Sequence, residues 1–291
     1  MQVVDPHVHL WDLESVSLPW LAQPTEAYSG DNRKLPRRFT PQELRDGAED
    51  IEVLKLVNVE ANPHDPVAET RWLQSLAETS GYPQGIVALV DLSRPDAAAV
   101  LAAHAAYRNL RGVRQILNVH ANPRYDYVSR HFMQEAEWRA NLRLLAQHQL
   151  SFDLQIYPAQ VPLAAEIIRA NPDIVFILNH AGMWVDRSLA GWREWRAGLR
   201  LLASLPNVVA KISGLAMFDH VWSIESLRPL VLEVIDAFGP QRALFASNFP
   251  IDGLHSSYAT LWRAYALIVA EATPEERHAL FITNAERVYR I

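Results

Sequence analysis

The sequence predicts an α/β protein of the (β/α)8-barrel type. Three observations carry that prediction. Short β-branched runs alternate with longer helix-patterned segments, giving eight runs in all; no proline-rich or serine-rich linker interrupts them; and the runs end in polar side chains. Such alternation is the signature of a parallel sheet wrapped by helices. Polar strand ends are expected where a barrel core gives way to an active face. An open doubly wound sheet is the competitor, but it usually begins with a glycine-rich turn. Here the first run ends in histidines. A length of 291 residues suits one barrel, and a single domain over 1–291 is expected.

The first run, residues 3–9, reads V-V-D-P-H-V-H. Strand side chains alternate between faces, so Asp5, His7 and His9 share one. Two imidazoles on one face can bind a metal, or hold and deprotonate a water. Strand-end histidines bonded to backbone or solvent are the plainer alternative. Thr40-Pro41-Gln42-Glu43 then supplies an N-cap, a proline at the first helical position and a capping-box glutamate. The second run, 53–60, places Leu54, Leu56, Asn58 and Glu60 on one face, and a helix follows over 68–79. The third, 85–91, ends at Asp91 and leads to a helix over 95–107. The fourth, 111–117, carries Arg114 and Gln115, and its helix spans 135–149.

Residues 152–157 form the fifth run, with Gln155 and Tyr157 at its end, before a helix over 162–169. In the sixth, 174–180, Phe176, Leu178 and His180 share a face; a helix over 192–203 follows. The seventh, 208–213, carries Lys211 and Ser213 and precedes a helix over 226–238. The eighth, 243–248, aligns Leu244, Ala246 and Asn248. Helices over 257–271 and from Pro274 complete the chain. These faces are apolar low on the strand and polar at its top.

Bulk properties narrow the function. The composition is 49% hydrophobic and 21% charged, which supports a large core and excludes a disordered chain. A net charge of −6 offers no cationic surface to nucleic acid or anionic lipid. No apolar run is long enough to span a membrane, and no leader pattern opens the chain. Zero cysteines exclude thiolate chemistry and fit a reducing cytoplasm. No G-x-S-x-G elbow, G-x-G-x-x-G turn or phosphate loop is present. The expected partner is a small-molecule substrate.

HVHLW at 7–11, Pro19-Trp20, LVNVEA at 56–61, ETRWL at 69–73, GVRQIL at 112–117, FDLQIYPAQ at 152–160, LNHAG at 178–182, KISGL at 211–215 and SNFPID at 247–252 follow one another in barrel order. Together they resemble the amidohydrolase superfamily, closest to a lactonase-rich group with pyrone-dicarboxylate, sugar-acid and sulfomuconolactone hydrolases. The resemblance implies a barrel hydrolase with its site at the strand ends. It places His7, His9 and His180 on the family's histidines, as catalytic groups and as ligands for one divalent ion, zinc first, or for none. Asn248 stands where the family has an aspartate in a Gly-Ser-Asp-x-Pro context. An amide is no general base and a poorer metal ligand. Asp252 is the nearest replacement carboxylate, or else it caps the helix that begins near Ser256. Lys211 falls too late in the order to bridge two metals, so a two-metal centre is not expected.

The reaction implied is lactone hydrolysis. It needs a held water, a base and donors for the developing oxyanion. His7, His9 and His180 would hold the water or the ion, Asp252 or a neutral histidine would take the proton, and Asn248 would donate to the carbonyl oxygen. Arg114 would clamp a carboxylate, unless it is spent on a salt bridge to Glu60 or Asp153. Glu60, Gln155 and Tyr157 would bind the rest of the substrate. Arg124 and Arg130, in the long loop 118–132, are secondary cations. Trp11, Trp20, Trp184, Trp192 and Trp195 would wall the pocket, pack the loops or form a homo-oligomer contact. Two alternatives stay open: a metal-dependent hydrolase or decarboxylase of another small carboxylate, and a non-catalytic ligand-binding barrel.

Overall fold

A computed structural model describes all 291 residues. Eight parallel strands follow in sequence order around one sheet: β1 (Gln2–Val8), β2 (Glu52–Val59), β3 (Gly85–Leu89), β4 (Leu110–Ile116), β5 (Ser151–Gln155), β6 (Phe176–Leu178), β7 (Val208–Ile212) and β8 (Ala243–Phe245). The sheet closes beyond the end of β8. Asn248 N donates to His7 O at 2.8 Å and His9 N donates to Phe249 O at 2.8 Å, which pairs Val8 with Phe249. The predicted (β/α)8 barrel is therefore the fold. Its seam runs between the first histidine pair and the Ser-Asn-Phe-Pro segment.

Asp5 locks that seam. Its carboxylate accepts from Ser247 N (3.0 Å), His7 N (3.2 Å) and Tyr258 OH (3.0 Å). Burial raises its pKa to about 6 despite these donors.

Helices α1 (Pro41–Asp46), α2 (Pro66–Ser80), α3 (Ala97–Ala105), α4 (Ala136–Leu142), α5 (Val161–Arg169), α6 (Leu189–Ala203), α7 (Ile224–Phe238) and α8 (Tyr258–Ile268) surround the strands, and short helices end the chain at Asn284–Tyr289. The predicted capping box opens α1: Thr40 N donates to Glu43 Oε2 at 2.8 Å. Asp65 caps α2 by accepting from Ala68 N, and Gly81 ends it in the left-handed region at φ 81°. The helix expected over 135–149 is broken after Leu142 and resumes as a single turn at Leu144–Gln147. One contiguous apolar core of 78 residues reaches from Val3 to Tyr289, and no helix is long and apolar enough to cross a membrane.

The long segment after β1 adds two ribbons of two-residue strands. Trp11–Asp12 pairs with Arg38–Phe39, and Glu26–Ala27 pairs with Gly30–Asp31. The second ribbon brings Tyr28 and Ser29 over the carboxyl ends of the strands, where a loop has no core of its own to pack into.

Beside this face, α2 buries Glu69. One carboxylate oxygen accepts from Ala61 N at 3.0 Å and the other has no partner. Burial, then the neighbouring Glu60, raises its pKa to about 8. The folded state therefore holds a proton here that the unfolded chain releases near its ordinary pKa. Stability is full below that value and is lost as pH rises towards 8. Glu69→Gln keeps the acceptor and removes the titration. It should leave Tm nearly unchanged at pH 5 and raise it at pH 8.5, by roughly 2–4 °C per kcal/mol restored. Calorimetric scans at both pH values check this; a Tm difference that does not grow with pH would refute it.

Candidate active site

At the carboxyl ends of the strands lies a cleft lined by residues that include His9, Arg114, Gln155, His180 and Asn248. His7 lies beneath it. Its ring centroid is 5.0 Å from that of His9 and 4.6 Å from that of His180, so the three imidazoles predicted from sequence do converge. All three are buried.

Each histidine is oriented by a different element. His9 Nδ1 donates to Val59 O at the end of β2 (2.8 Å), which leaves Nε2 facing Asn248 Oδ1 at 3.3 Å. His180 Nδ1 pairs with Ser213 Oγ, just beyond β7, at 3.0 Å. His180 and Asn248 both adopt left-handed backbone, at φ 52° and 60°, which is uncommon outside glycine and clusters at functional sites. Gly214 of the Lys-Ile-Ser-Gly-Leu segment makes room for the His180 ring: a Cβ there would lie 2.5 Å from His180 Nδ1.

Burial lowers all three pKa values. For His9 the fall is to about 3, with Arg114 the second cause. Burial followed by Lys211 lowers His7, and burial followed by Arg114 lowers His180, each well below the usual range. Burial thus disfavours the charged form of all three rings.

Asp252 is not where a direct base must be. It is fully buried and does not line the cleft; Asn248 stands between them. Asn248 Nδ2 donates to Asp252 Oδ1 at 2.8 Å, and Ala216 N approaches the other oxygen at 3.4 Å. The helix-cap alternative also fails, because Ser257 caps α8 by accepting from Thr260 N. Burial raises the Asp252 pKa to about 7.

Other expected site residues are spent on structure. Arg114 Nε donates to Glu60 Oε1 at 2.6 Å, its Nη2 to Glu60 O at 2.7 Å and its Nη1 to Gln155 Oε1 at 3.1 Å. The salt bridge weighed as the plainer role of Arg114 is thus present, with Glu60 as partner. Glu60 is correspondingly not a free substrate-binding group, for its second oxygen accepts from Asn62 N at 2.6 Å. Gln155 lines the cleft but also donates to Asn118 Oδ1 at 3.0 Å. Tyr157 points away; its hydroxyl donates to Tyr125 O at 2.8 Å and fastens the 118–132 loop. Arg130 pairs with Glu135, while Arg124 lines a separate cleft with Arg187.

Among the tryptophans, Trp20 lines the cleft and is backed edge-on by Trp11 at 5.9 Å. Trp184, Trp192 and Trp195 form a cluster behind His180, tied to Ala181 O by Trp195 Nε1 at 2.7 Å.

Sequence reasoning missed Tyr28, Asn62 and Tyr127 in the cleft wall, where Asn62 Nδ2 donates to Tyr127 OH at 2.9 Å. They lie on loops, where no periodicity marks a facing side. It also left Lys211 without a role. That side chain is fully buried beneath His7, with Nζ 2.6 Å from Asp153 Oδ1.

The donor set does not suit a tightly held metal ion. No three His, Asp or Glu side chains are arranged to hold one. Asn248 brings an amide where a carboxylate would add charge, and His7 Nδ1 faces the Lys211 ammonium at 3.2 Å.

The profile of the family described as amidohydrolase matches residues 4–291. An uncharacterised protein of Sinorhizobium fredii is 40% identical over 99% of this chain and 98% of its own. An L-fucono-1,5-lactonase of Burkholderia ambifaria is 27% identical over 99% of this chain and 95% of its own. Among solved structures, an amidohydrolase of Burkholderia multivorans with bound zinc superposes with a TM-score of 0.82 at 26% identity, with both chains fully covered.

The Arg114–Glu60 pair gives this site its test of stability. Glu60→Gln strands a buried guanidinium and should cost about 3–5 kcal/mol, whereas replacing both partners by leucine should recover most of that loss. Chemical denaturation of the two variants measures the difference; equal losses would mean that the pair is not charge-coupled.

Proposed function

The chain belongs to the amidohydrolase family, and from that premise we propose that it hydrolyses an uncharged lactone of a polyhydroxy acid. One observation carries the choice of substrate: the cleft presents no unpaired cation. Arg114 is neutralised by Glu60, and Lys211, below the floor, by Asp153. A dicarboxylate would lose its hydration here without gaining a counter-charge. Hydroxyls, by contrast, meet Asn62, Tyr28, Tyr127 and Gln155, and Trp20 offers an apolar face to a ring's C–H edge. The same lack of a free cation weakens the reading as a decarboxylase of a small carboxylate. The 27% identity to an L-fucono-1,5-lactonase points the same way.

A lactone carbonyl is reactive enough for a weak base to suffice. His9 and His180 hold the water at the carbonyl carbon. As the water attacks, its proton passes to His9 Nε2, the nitrogen left free by the bond to Val59 O. The charged ring is stabilised by the Asn248 Oδ1 dipole 3.3 Å from Nε2, and Asn248 in turn donates its own N–H to the Asp252 carboxylate. Collapse of the tetrahedral intermediate breaks the ring C–O bond. The proton returns from His9 to the departing alkoxide, leaving a hydroxy acid. No step is assigned to a metal ion, and any divalent ion is expected to be weakly held.

The substrate reading is tested with a lactone panel and a pH-indicator readout. Neutral five- and six-membered sugar lactones should be turned over, and a pyrone dicarboxylate should be at least about 10²-fold poorer in kcat/KM, the scale of an uncompensated buried charge. Preference for the dicarboxylate would overturn the neutral-cleft argument.

The role of Asp252 has its own signature. With a pKa near 7, it is an uncharged acid below that pH and a carboxylate above it. Only the carboxylate stabilises a positive His9, so kcat should rise with pH through about 7. Asp252→Asn keeps an acceptor for Asn248 and removes the charge. It should lower kcat at pH 8 by about 10–10²-fold with little change in KM, and flatten the acid limb. An unchanged pH profile would leave Asp252 structural.

A further inference from the structure

The floor of the cleft contains a buried cation whose contacts reach the catalytic face through a single imidazole. Lys211 Nζ lies 2.6 Å from Asp153 Oδ1, 3.0 Å from Pro6 O and 3.2 Å from His7 Nδ1, with no exposure to solvent. An ammonium has three hydrogens and no lone pair, so it donates to each of these atoms and can accept from none. We infer that Lys211 is a positioning residue that fixes His7 as the Nε2–H tautomer, so that His7 offers the floor of the site a hydrogen-bond donor rather than a lone pair.

The contacts around the lysine leave it little alternative. Asp153 also accepts from Asn179 Nδ2 at 2.9 Å and from Tyr289 OH at 2.9 Å, so its carboxylate is anchored from several sides. Pro6 O belongs to the backbone of β1. With both other acceptors fixed, the lysine's remaining hydrogen goes to the imidazole. A neutral ring that accepts at Nδ1 carries its hydrogen at Nε2.

An independent observation bears on this hydrogen. His7 Nε2 is buried without a hydrogen-bond partner in the chain, beside the two imidazoles that line the cleft. Buried polar atoms are rarely left unpaired unless something else completes them. An N–H at the floor suits the oxygen of a carbonyl that gains negative charge as water attacks. It does not suit a metal ion, which needs the lone pair that this tautomer lacks at Nε2. The site would thus draw its electrophilic help from a fixed lysine through His7. The oxyanion role rests on the lactone-hydrolysis reading; the tautomer does not, so the two can fail separately.

The test is heteronuclear NMR of the full chain with ¹⁵N-labelled histidine, His7 being assigned by its loss in His7→Gln. The expected pattern is a pyrrole-type Nε2 and a pyridine-type Nδ1 from pH 6 to 9, retained when zinc chloride is added. A protonated Nδ1, or a His7 Nε2 that becomes a zinc ligand, would overturn the inference. The tautomer is read on the wild-type chain, and the variant serves only to assign His7.

The paired variant Lys211→Met with Asp153→Asn removes the ion pair without leaving a buried charge alone. It should release the tautomer and lower kcat on a neutral lactone by about 10–10²-fold, with KM within about threefold. Unchanged kcat together with a lost tautomer would remove His7 from oxyanion binding.

Discussion

The centre of this barrel is organised around one buried ammonium. Taking a lysine out of water is costly, and the cost is offset only when every hydrogen finds an acceptor and an anion lies alongside. Lys211 meets both conditions through Asp153, Pro6 O and His7. Asp153 in turn gathers Asn179 and Tyr289. One electrostatic knot therefore ties β1, β5 and β7 to the residue after β6 and to the C-terminal helix. The position of His7 follows from it, and with it the shape of the floor on which His9 and His180 converge.

The same pairing rule governs the wall above. Arg114 gives Nε and Nη2 to Glu60 and Nη1 to Gln155. Both internal cations are thus cancelled within their own layer, and the cleft is polar without a net field from an unpaired side chain. Burial then keeps the three imidazoles neutral, and the nearby guanidinium and ammonium reinforce this. A site of this kind can orient hydroxyl groups and a water, yet it has nothing to hold an anion. The carboxylate formed by opening a lactone would meet no cation to retain it, which favours release of the product over its capture.

Much of this was legible in the sequence. The eight strands declared themselves through β-branched runs with polar ends, and strand alternation put His7 and His9 on one face before any contact was known. His180 and Asn248 came from the same rule. Strand position alone leaves Arg114 and Glu60 free to face a substrate or each other; in the fold they pair, because the two side chains face each other across the barrel layer. Tyr157 lies past the end of β5, where alternation no longer applies and the 118–132 loop captures its hydroxyl. The partnership of Lys211 with Asp153 spans 58 residues, and no local pattern reports such a pair. Tyr28 and Tyr127 reach the cleft from loops whose course is set by packing rather than periodicity.

Asn248 is the residue that most changes in meaning between sequence and structure. In sequence it reads as a loss, an amide where the family resemblance implies a carboxylate. In the folded chain, the amide is the middle of a line from His9 to Asp252, facing the imidazole with its oxygen and donating to the carboxylate with its nitrogen. An aspartate at this position would set two buried carboxylates within hydrogen-bond distance. Like charges so close cannot both stay ionised, and the pair would share a proton. The amide avoids that conflict, because it is neutral and has both a donor and an acceptor to offer. Asn248 and Asp252 together thus present to His9 what one aspartate would: an oxygen to receive the imidazolium hydrogen, backed by negative charge. The charge has moved one residue layer away from the cleft, which costs strength at His9 and keeps the anion from facing the substrate.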